Sequence, residues 1–468
     1  MTLQWVADVT SGTLAAGDPS RVLGEVTTDT RAIQPGALFV ALKGARYDGH
    51  DFAAAALGAG AAAVVVERGW LDTHAVDLDR GGVSSTGVIA VADTLLALQD
   101  IARGVRRASS ARVVAITGSA GKTTTKEAIA SMLATRYRVV RNKGNLNNHI
   151  GLPLSLMELR QAPDVAVMEL GMNHAGEIRT LVGIADPDVR VWTNVGDAHI
   201  GFFASADAIA DAKAEILEGA DRDDTLVCNA DDPRVMARVR SFPGTTVTFG
   251  YSSAADVRAV DVEDLGLAGM RARLVTEGGD CAIHTPLLGR GNLANLIAAA
   301  AVALRFDVSL EAIAATAESL KPSHRRGSVH AAHGITVVDD SYNSSPAALR
   351  RTLDVLRRES AYPRKIAVLG EMLELGVFAD ALHRACGEDA ASAGLAALVA
   401  VGGDPARALA QGALSAGMDP RSVHHVQTST EAADLVASLV QAGDVVLVKG
   451  SRGIRTDVVV DRLVEGAA

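Results

Sequence analysis

The chain has 468 residues, of which 48% are hydrophobic and only 3% aromatic, so we expect two to four domains with aliphatic cores. Its net charge of −10 argues against a general nucleic-acid-binding protein and against association with an anionic membrane surface. Short aliphatic strands alternate with helical patterns along the chain, which predicts the α/β class.

The three cysteines lie far apart and match no metal-binding or disulfide spacing, which is typical of a reducing compartment. No apolar run has the length needed to span a bilayer, and the first seven residues lack the basic and apolar regions of a signal peptide. The sequence therefore predicts a cytoplasmic protein without membrane insertion, and we expect a monomer.

Three blocks follow one another along the chain, at 1–108, 109–320 and 321–468. The first ends in a predicted helix, Ala92 to Arg107, and the basic, serine-containing segment after Arg106 is interpreted as a linker. A second linker is expected around Pro322. The central and third blocks each contain short apolar strands separated by helical patterns, as in mostly parallel sheets. Predicted strands include Val165–Glu169, Thr225–Asn229 and Ala397–Val401.

The first block carries basic and hydroxyl side chains beside glycines. Such a cluster favours a site for a phosphorylated ligand, while ordinary β-turns explain it equally well. The residues concerned are Thr30, Arg31, Lys43, Asp48, Gly49 and His50.

The second block opens with the most informative motif, a β-branched strand that enters a glycine turn and then a helix. The turn reads Thr117-Gly118-Ser119-Ala120-Gly121-Lys122-Thr123-Thr124. Backbone N–H groups and the positive end of the helix favour phosphate there, Lys122 supplies a cation, and a threonine hydroxyl suits Mg²⁺. The common pattern has glycine where Ile116 stands, so this is a variant phosphate loop for a nucleoside triphosphate.

Polar residues follow further strands of the central block. Glu169 ends one apolar strand and His199 follows another, and ligands gather at the carboxyl ends of such strands. Asn148 lies in an amide-rich segment that is interpreted either as a capped loop before a helix or as a ligand contact. Lys213, by its local sequence alone, is a solvated helix lysine.

In the third block, Asp340, Tyr342 and Asn343 follow a predicted strand and suit recognition of ribose hydroxyls or positioning of a nucleotide. An N-cap for the predicted helix Ala347 to Leu356 is the alternative, and both roles are compatible. Lys449 and Arg452 follow the last strand and offer cations to a carboxylate or phosphate.

Together these motifs resemble those of the Mur ligases, ATP-dependent enzymes that form the amide bonds of the peptidoglycan stem peptide. The resemblance extends over nearly the whole chain. Asn292 and Asn295 match the family's adenine-side asparagines, although Gly291 stands where that motif often has histidine. The segments Asp340 to Pro346 and Lys449 to Arg452 are similar to those of the members that add D-alanyl-D-alanine.

The resemblance implies a three-domain α/β fold. A smaller N-terminal domain would bind a UDP-sugar, and a central P-loop-type domain with a mostly parallel sheet and helices on both faces would bind ATP. A Rossmann-like C-terminal domain would bind the incoming dipeptide and part of the nucleotide. The implied reaction is ADP-forming ligation of D-alanyl-D-alanine to UDP-N-acetylmuramoyl-tripeptide through an acyl phosphate, which gives the pentapeptide precursor of peptidoglycan.

The resemblance also implies roles for individual residues. Lys122, Glu169, His199 and Lys213 would be catalytic, and Thr123, Glu169, His199 and Lys213 would hold two Mg²⁺ ions, with Lys213 carbamylated. The nucleotide-binding set is residues 117–124 with Asn292, Asn295, Arg326 and Asp340. The substrate set is Thr30, Arg31, Lys43, Asp48, Gly49, His50 and Asn148, and the dipeptide side is Tyr342, Asn343, Lys449 and Arg452.

Three alternatives stay open from the sequence. The chain could be another amide ligase of the same superfamily, such as one resembling folylpolyglutamate synthase. It could be a phosphate-loop ATPase or small-molecule kinase without amide synthesis, or a non-catalytic nucleotide-binding regulator. Asp48-Gly49-His50 and Tyr342-Asn343 argue against the first of these.

Overall fold

A computed structural model describes residues 1–79 and 86–466. The chain divides into two compact units. The first contains Met1–Ala115, Tyr137–Met172 and Glu177–Asp188, and the second contains Ile116–Arg136, Asn173–Gly176 and the chain from Val189 onward. Three sheets with helices around them make up the molecule, which confirms the predicted α/β class.

The first unit contains a five-stranded sheet of order β1-β5-β4-β3-β2, parallel except for β1. Its strands are β1 Thr13–Ala16, β2 Val26–Thr27, β3 Leu38–Val40, β4 Ala63–Glu67 and β5 Gly87–Val91. The accompanying helices are α1 Leu3–Val9, α2 Ala53–Gly58, α3 Arg68–Asp79 and α4 Thr94–Ala108. All five residues of β5 are buried, as expected for a central strand rich in Val, Ile and Ala.

A nine-stranded sheet has the order β14-β13-β12-β11-β10-β9-β6-β8-β7. Its strands are β6 Arg112–Thr117, β7 Val139–Arg141, β8 Val165–Glu169, β9 Val189–Trp192, β10 Thr225–Asn229, β11 Thr245–Gly250, β12 Val257–Asp264, β13 Met270–Thr276 and β14 Gly279–Thr285. β9 to β12 pair in parallel, and β13 and β14 extend the sheet as an antiparallel meander. The sequence did not predict this meander.

Seven helices lie in the stretch that contains these strands. They are α5 Lys122–Leu133, α6 Gly151–Leu156, α7 Glu177–Ala185, α8 Ala206–Ala214, α9 Pro233–Arg238, α10 Gly289–Arg305 and α11 Leu310–Ser319. α10 packs against α5, which places the asparagines of α10 beside the turn that precedes α5.

The six-stranded sheet of the second unit has the order β15-β16-β20-β17-β18-β19, with only β15 antiparallel. Its strands are β15 Ser328–Ala332, β16 Ile335–Asp340, β17 Lys365–Gly370, β18 Ala397–Val401, β19 Val423–Val426 and β20 Val445–Lys449. The helices are α12 Pro346–Arg358, α13 Ala379–Ala391, α14 Asp404–Ser415, α15 Ser429–Leu439 and α16 Asp457–Glu465. β20 lies between β16 and β17, so the strand order reverses there and opens a crevice at the carboxyl ends.

The predicted linker, Arg106 to Ser110, is helical in its first three residues. α4 continues to Ala108, and the Arg106 side chain is buried. Its guanidinium donates to the carbonyl oxygens of Ala185, Asp186 and Ala111 and to the carboxylate of Asp188. Arginine therefore stays buried here because four acceptors meet its fork of N–H donors.

Within residues 1–79 and 86–466, no helix is both long and apolar enough to cross a membrane.

Candidate active site

The phosphate loop lies in the second unit, between the end of β6 and the start of α5. The amide of Ser119 donates to the carbonyl of Asn194 at 3.0 Å. The Asn194 side chain accepts from the Ala120 amide at 3.0 Å and donates to the Ala120 carbonyl at 2.8 Å. The residue that follows β9 therefore fixes the curvature of the loop from both sides.

Lys122, Thr123 and Thr124 form the first turn of α5, where helical N–H groups have no intrahelical acceptor. The Lys122 ammonium donates to the Gly118 carbonyl at 2.8 Å, so it lies over the loop rather than away from it. With the positive helix end, this arrangement is a site for an anion such as a phosphate chain. The predicted strand, loop and helix order is what the structure shows.

Two glycines are required by the geometry of the loop. Gly118 has φ +152°, and a Cβ there would lie 1.9 Å from the Thr193 hydroxyl oxygen. Gly121 has φ +84°, and its Cβ would lie 2.2 Å from Oδ1 of Asn295. Asn295 is thus packed against the loop, and its Nδ2 donates to Oδ1 of Asn292 at 3.3 Å one turn earlier on α10.

Gly121→Ala is expected to destabilise the fold by about 1–3 kcal/mol and to weaken ADP binding, because the added Cβ is strained and displaces Asn295. Gly144→Ala is the matched control, since Gly144 also has positive φ (+55°) but no atom lies within 4 Å of its Cβ position. Thermal unfolding and ADP calorimetry separate the two effects. Wild-type ADP affinity in Gly121→Ala would contradict the steric argument.

Lys213 lies in the last turn of α8 and is 1% exposed. Within the described residues, no carboxylate pairs with its ammonium group. Burial, and secondly the charge of Lys122, lower the pKa of Lys213 well below its ordinary value of 10.5. Lys213 is therefore not the solvated helix lysine that its local sequence indicated. It is a buried amine whose neutral form is favoured.

Lys213→Met is expected to raise the Tm of the protein in CO₂-depleted buffer by about 2–5 °C, because a buried amine is replaced by an apolar chain of similar volume. Below 10.5 the unfolded chain protonates this amine more readily than the folded chain does. The gain is therefore full at low pH and shrinks as pH rises toward 10.5. Lys143→Met, at a residue whose side chain is 82% exposed, should show neither effect in pH-resolved thermal scans.

His199 follows β9 and has φ +64°. Its Nδ1 lies 2.5 Å from Oε2 of Glu374, a residue of the turn after β17 that also has positive φ. The hydrogen bond with His199 lowers the pKa of Glu374 despite partial burial. The sequence places Glu374 in a conspicuous turn but gives no role to it, because its partner is 175 residues away.

The structure brings together three of the residues predicted from the third block. The Lys449 ammonium donates to Oδ2 of Asp340 at 2.6 Å and to the Asn343 carbonyl at 3.1 Å. Asp340 also accepts from the Thr352 hydroxyl of α12 at 3.0 Å. Residues expected on the nucleotide and dipeptide sides thus form one charged cluster at the carboxyl ends of β16 and β20.

Two predicted cations flank one predicted ring. The guanidinium of Arg326 lies 4.0 Å from the centre of the Tyr342 ring, and that of Arg452 lies 5.9 Å from it. Such cation–π contacts hold a ring and guanidinium groups together while leaving N–H donors for an anion.

In the first unit, Glu169 ends β8 and is buried. Its Oε1 accepts from the Asn147 side chain at 2.8 Å, and the Asn142 side chain accepts from its amide at 3.0 Å. Asn148 accepts from the amides of Ile150 and Gly151 at 3.2 and 2.8 Å, in the turn that precedes α6. Asn147 thus orients a carboxylate that the sequence singled out.

The N-terminal candidates of the first unit are held by short-range contacts. Asp29 accepts from the backbone and side chain of Arg31, in the 3-10 turn that includes Thr30. The side-chain hydrogen bond with Arg31 lowers the pKa of Asp29 to about 2. Arg31 itself is 89% exposed at its side chain, and its guanidinium reaches solvent.

His50 differs from Arg31, because it is 1% exposed and both ring nitrogens have partners. Nδ1 lies 2.6 Å from Asp48, and Nε2 accepts from the Glu67 amide at 3.0 Å. A Cβ on Gly49 would lie 2.6 Å from the Leu42 carbonyl oxygen. The backbones of Lys43 and Asp48 pair through an isolated antiparallel β-bridge. These residues of the predicted substrate set therefore stabilise the loop to which they belong.

Metal-binding chemistry depends on the donors available. Among residues 1–79 and 86–466, no group of three or more His, Cys, Asp or Glu side chains could hold a metal ion. Thr123 and Glu169 offer the oxygen donors that Mg²⁺ prefers.

Three family models match the chain in order. The Mur ligase family catalytic domain matches residues 23–106, the Mur ligase middle domain 116–303, and the Mur ligase glutamate ligase domain 324–452. The UDP-N-acetylmuramoyl-tripeptide–D-alanyl-D-alanine ligase of Bacillus subtilis is 34% identical over 99% of this chain and 98% of that relative. The chain belongs to the Mur ligase family.

Solved structures of Mur ligases agree with this. MurF from Acinetobacter baumannii is 31% identical, with a TM-score of 0.88 over 99% of both chains. MurF ligase from Thermotoga maritima in complex with ADP is 30% identical, with a TM-score of 0.80 over 94% of this chain and 96% of that chain. The predicted family and the predicted α/β fold are thereby confirmed.

Proposed function

We propose that this Mur ligase joins D-alanyl-D-alanine to UDP-N-acetylmuramoyl-tripeptide with hydrolysis of ATP to ADP and phosphate. The observation that carries the proposal is the phosphate loop shaped by Asn194, with Lys122 in the first turn of α5, in a chain that is 34% identical over 99% of its length to a relative of this ligase name. Its product is the pentapeptide precursor of peptidoglycan.

The chemistry follows from the weakness of a carboxylate as an electrophile. Attack of the tripeptide carboxylate oxygen on the γ-phosphorus of ATP forms an acyl phosphate and releases ADP. The neutral amine of D-alanyl-D-alanine then attacks the acyl carbon, the C–O bond to phosphate breaks, and the amine loses a proton. Lys122 and the first turn of α5 stabilise negative charge on the transferring phosphoryl group.

Two Mg²⁺ ions are proposed, with Thr123, Glu169, His199 and carbamylated Lys213 as the protein ligands. When bound, the ions would neutralise charge on the phosphates and on the substrate carboxylate.

Carbamylation of Lys213 is supported by its surroundings. Only a neutral amine attacks CO₂, and burial with a nearby Lys122 charge favours the neutral form. Attack of the neutral amine on CO₂ forms an N–C bond and releases one proton, which converts an uncharged amine into an anion. A carbamate oxygen is a hard ligand of the kind that Mg²⁺ takes, whereas an ammonium group is not a ligand.

The remaining residues are proposed as binding groups. Residues 117–124, Asn292, Asn295, Arg326 and Asp340 would bind the nucleotide, and Asn295 is supported by its contact with the Gly121 position. Thr30, Arg31, Lys43, Asp48, Gly49, His50 and Asn148 would form or support the UDP-sugar site. Tyr342, Asn343, Lys449 and Arg452 would serve the dipeptide, supported by the charged cluster with Asp340.

Three domains are proposed at 1–108, 109–320 and 321–468. Each block contains one of the three sheets or most of it, and each includes one family-model match. A cytoplasmic monomer stays a prediction from the sequence.

A phosphate-release assay with purified substrates tests the proposed reaction. We expect phosphate only when ATP, UDP-N-acetylmuramoyl-tripeptide and D-alanyl-D-alanine are all present, and a product mass equal to the pentapeptide. Release without the dipeptide would indicate an ATPase. Tripeptides with diaminopimelate or lysine as the third residue, tested in parallel, identify the substrate.

A further inference from the structure

Glu374 and His199 join two turns that are far apart in sequence but meet closely in the second unit. Both residues have left-handed backbone conformations, with φ +65° and +64°. Their side chains meet at 2.5 Å, and the Gly201 amide donates to the Glu374 carbonyl at 2.9 Å. One contact is thus made twice, through side chains and through backbone.

The backbone approach at this contact leaves no room for side chains. A Cβ on Gly201 would lie 2.6 Å from the Gly376 amide nitrogen and 2.7 Å from the Glu374 carbonyl oxygen. Gly376 has φ +54°, and its own Cβ would lie 2.9 Å from the Gly201 Cα. Because both residues are glycines, the two backbone segments can approach closely, and this approach holds the Glu374 carboxylate at Nδ1 of His199.

We propose that Glu374 is a positioning residue that sets the tautomer and ring orientation of His199. The carboxylate accepts a hydrogen bond from Nδ1–H, so Nε2 carries the free lone pair and points away from the turn after β17. A histidine that binds a metal commonly donates its other nitrogen in this way, and loss of that partner weakens metal affinity. The inference rests on the proposed role of His199 as a magnesium ligand.

The consequence is a link between two parts of the second unit. Glu374 belongs to the block that begins at residue 321, whereas His199 belongs to the block that contains the phosphate loop. A ligand of the proposed metal site is thus oriented by the block that would deliver the dipeptide. The turn after β17 thus acquires a role through Glu374.

A matched control exists at a second contact between the same two blocks. Glu359 is buried, whereas the Glu374 side chain is 44% exposed, and the Glu359 carboxylate accepts from the amides of Leu267 and Ala361 at 2.9 and 2.7 Å. Glu359→Ala removes a carboxylate from this other contact without touching His199. Glu374→Gln is the conservative variant, because its amide oxygen can still accept from Nδ1.

The test measures Mn²⁺ binding to the ADP-loaded enzyme by electron paramagnetic resonance, and the His199 tautomer by long-range ¹H–¹⁵N spectra of ¹⁵N-histidine-labelled protein. We expect Glu374→Ala to weaken Mn²⁺ binding roughly 10- to 100-fold and to lose the Nδ1-protonated tautomer. Glu374→Gln should retain that tautomer and most of the affinity, and Glu359→Ala should match wild type.

Unchanged Mn²⁺ affinity in Glu374→Ala, with weakened binding in His199→Ala, would overturn the inference and leave the proposed metal ligand in place. Equal losses in Glu374→Ala and Glu359→Ala would also overturn it, since any contact between the blocks would then suffice. Wild-type Mn²⁺ binding in His199→Ala would instead refute the metal role of His199 on which the inference rests.

Discussion

Lys122→Ala is expected to lower the turnover number at least about 1,000-fold, because no other residue of the phosphate loop, 117–124, has a positively charged side chain. The Lys122 ammonium lies over the loop, 2.8 Å from the Gly118 carbonyl. Its charge is therefore placed where a phosphate chain would lie. Steady-state phosphate release with all three substrates gives the measurement.

Affinity for the UDP-linked substrate should stay within about two-fold of wild type in Lys122→Ala, because Lys122 is not among the residues proposed to bind it and sites that share no partners behave independently. All seven residues proposed for that substrate lie in the first compact unit, whereas Lys122 lies in the second. Lys143→Ala, which removes an exposed lysine paired only with Glu158, serves as the control for loss of a positive charge. A parallel collapse of UDP-substrate affinity would show that the two sites are not separate.

Lys213→Ala is expected to be nearly inactive and to recover part of its activity when short-chain carboxylic acids are added. The substitution leaves a cavity where the buried side chain lay, and a small carboxylate can supply the anionic oxygen that a carbamate would have offered. Activity measured against acetate and propionate concentration at constant ionic strength tests this. Full activity without any acid would refute the carbamate.

Two comparisons make the Lys213 result specific. Lys122→Ala should show no recovery with the same acids, because a carboxylate cannot replace a cation. Wild-type enzyme freed of CO₂ should lose activity and regain it with bicarbonate, and the loss should deepen at lower pH, where more of the amine is protonated. Recovery of Lys122→Ala by acids would indicate a non-specific salt effect.

The parallel strands could be predicted almost to the residue from the sequence. Val165–Glu169, Thr225–Asn229 and Ala397–Val401 have the bounds that their apolar runs indicated. A strand buried on both faces is a short continuous apolar segment between turn residues, so its signal is local. The phosphate loop was predictable for the same reason, since strand, turn and helix are consecutive.

The antiparallel meander β12–β14 was not predicted because its strands are half exposed and contain charged residues such as Arg271 and Arg273. The burial of Lys213 was also out of reach. Its helix is rich in alanine, so the sequence does not show which side faces the core, although Ile209 and Ala212 prove to be buried with it.

The pairings among site residues depend on the tertiary fold. Lys449 meets Asp340 across 109 residues, and His199 meets Glu374 across 175. Nothing local in either segment indicates its partner. The individual residues could therefore be predicted as candidates from the sequence. Which of them form pairs depends on the tertiary structure.

The two hydrogen bonds between the Asn194 side chain and the Ala120 backbone have a kinetic consequence. Because the turn is already shaped by protein groups, the entropy of ordering it is lost during folding and not when nucleotide arrives. Capture of ATP then needs no slow rearrangement of the backbone at this point.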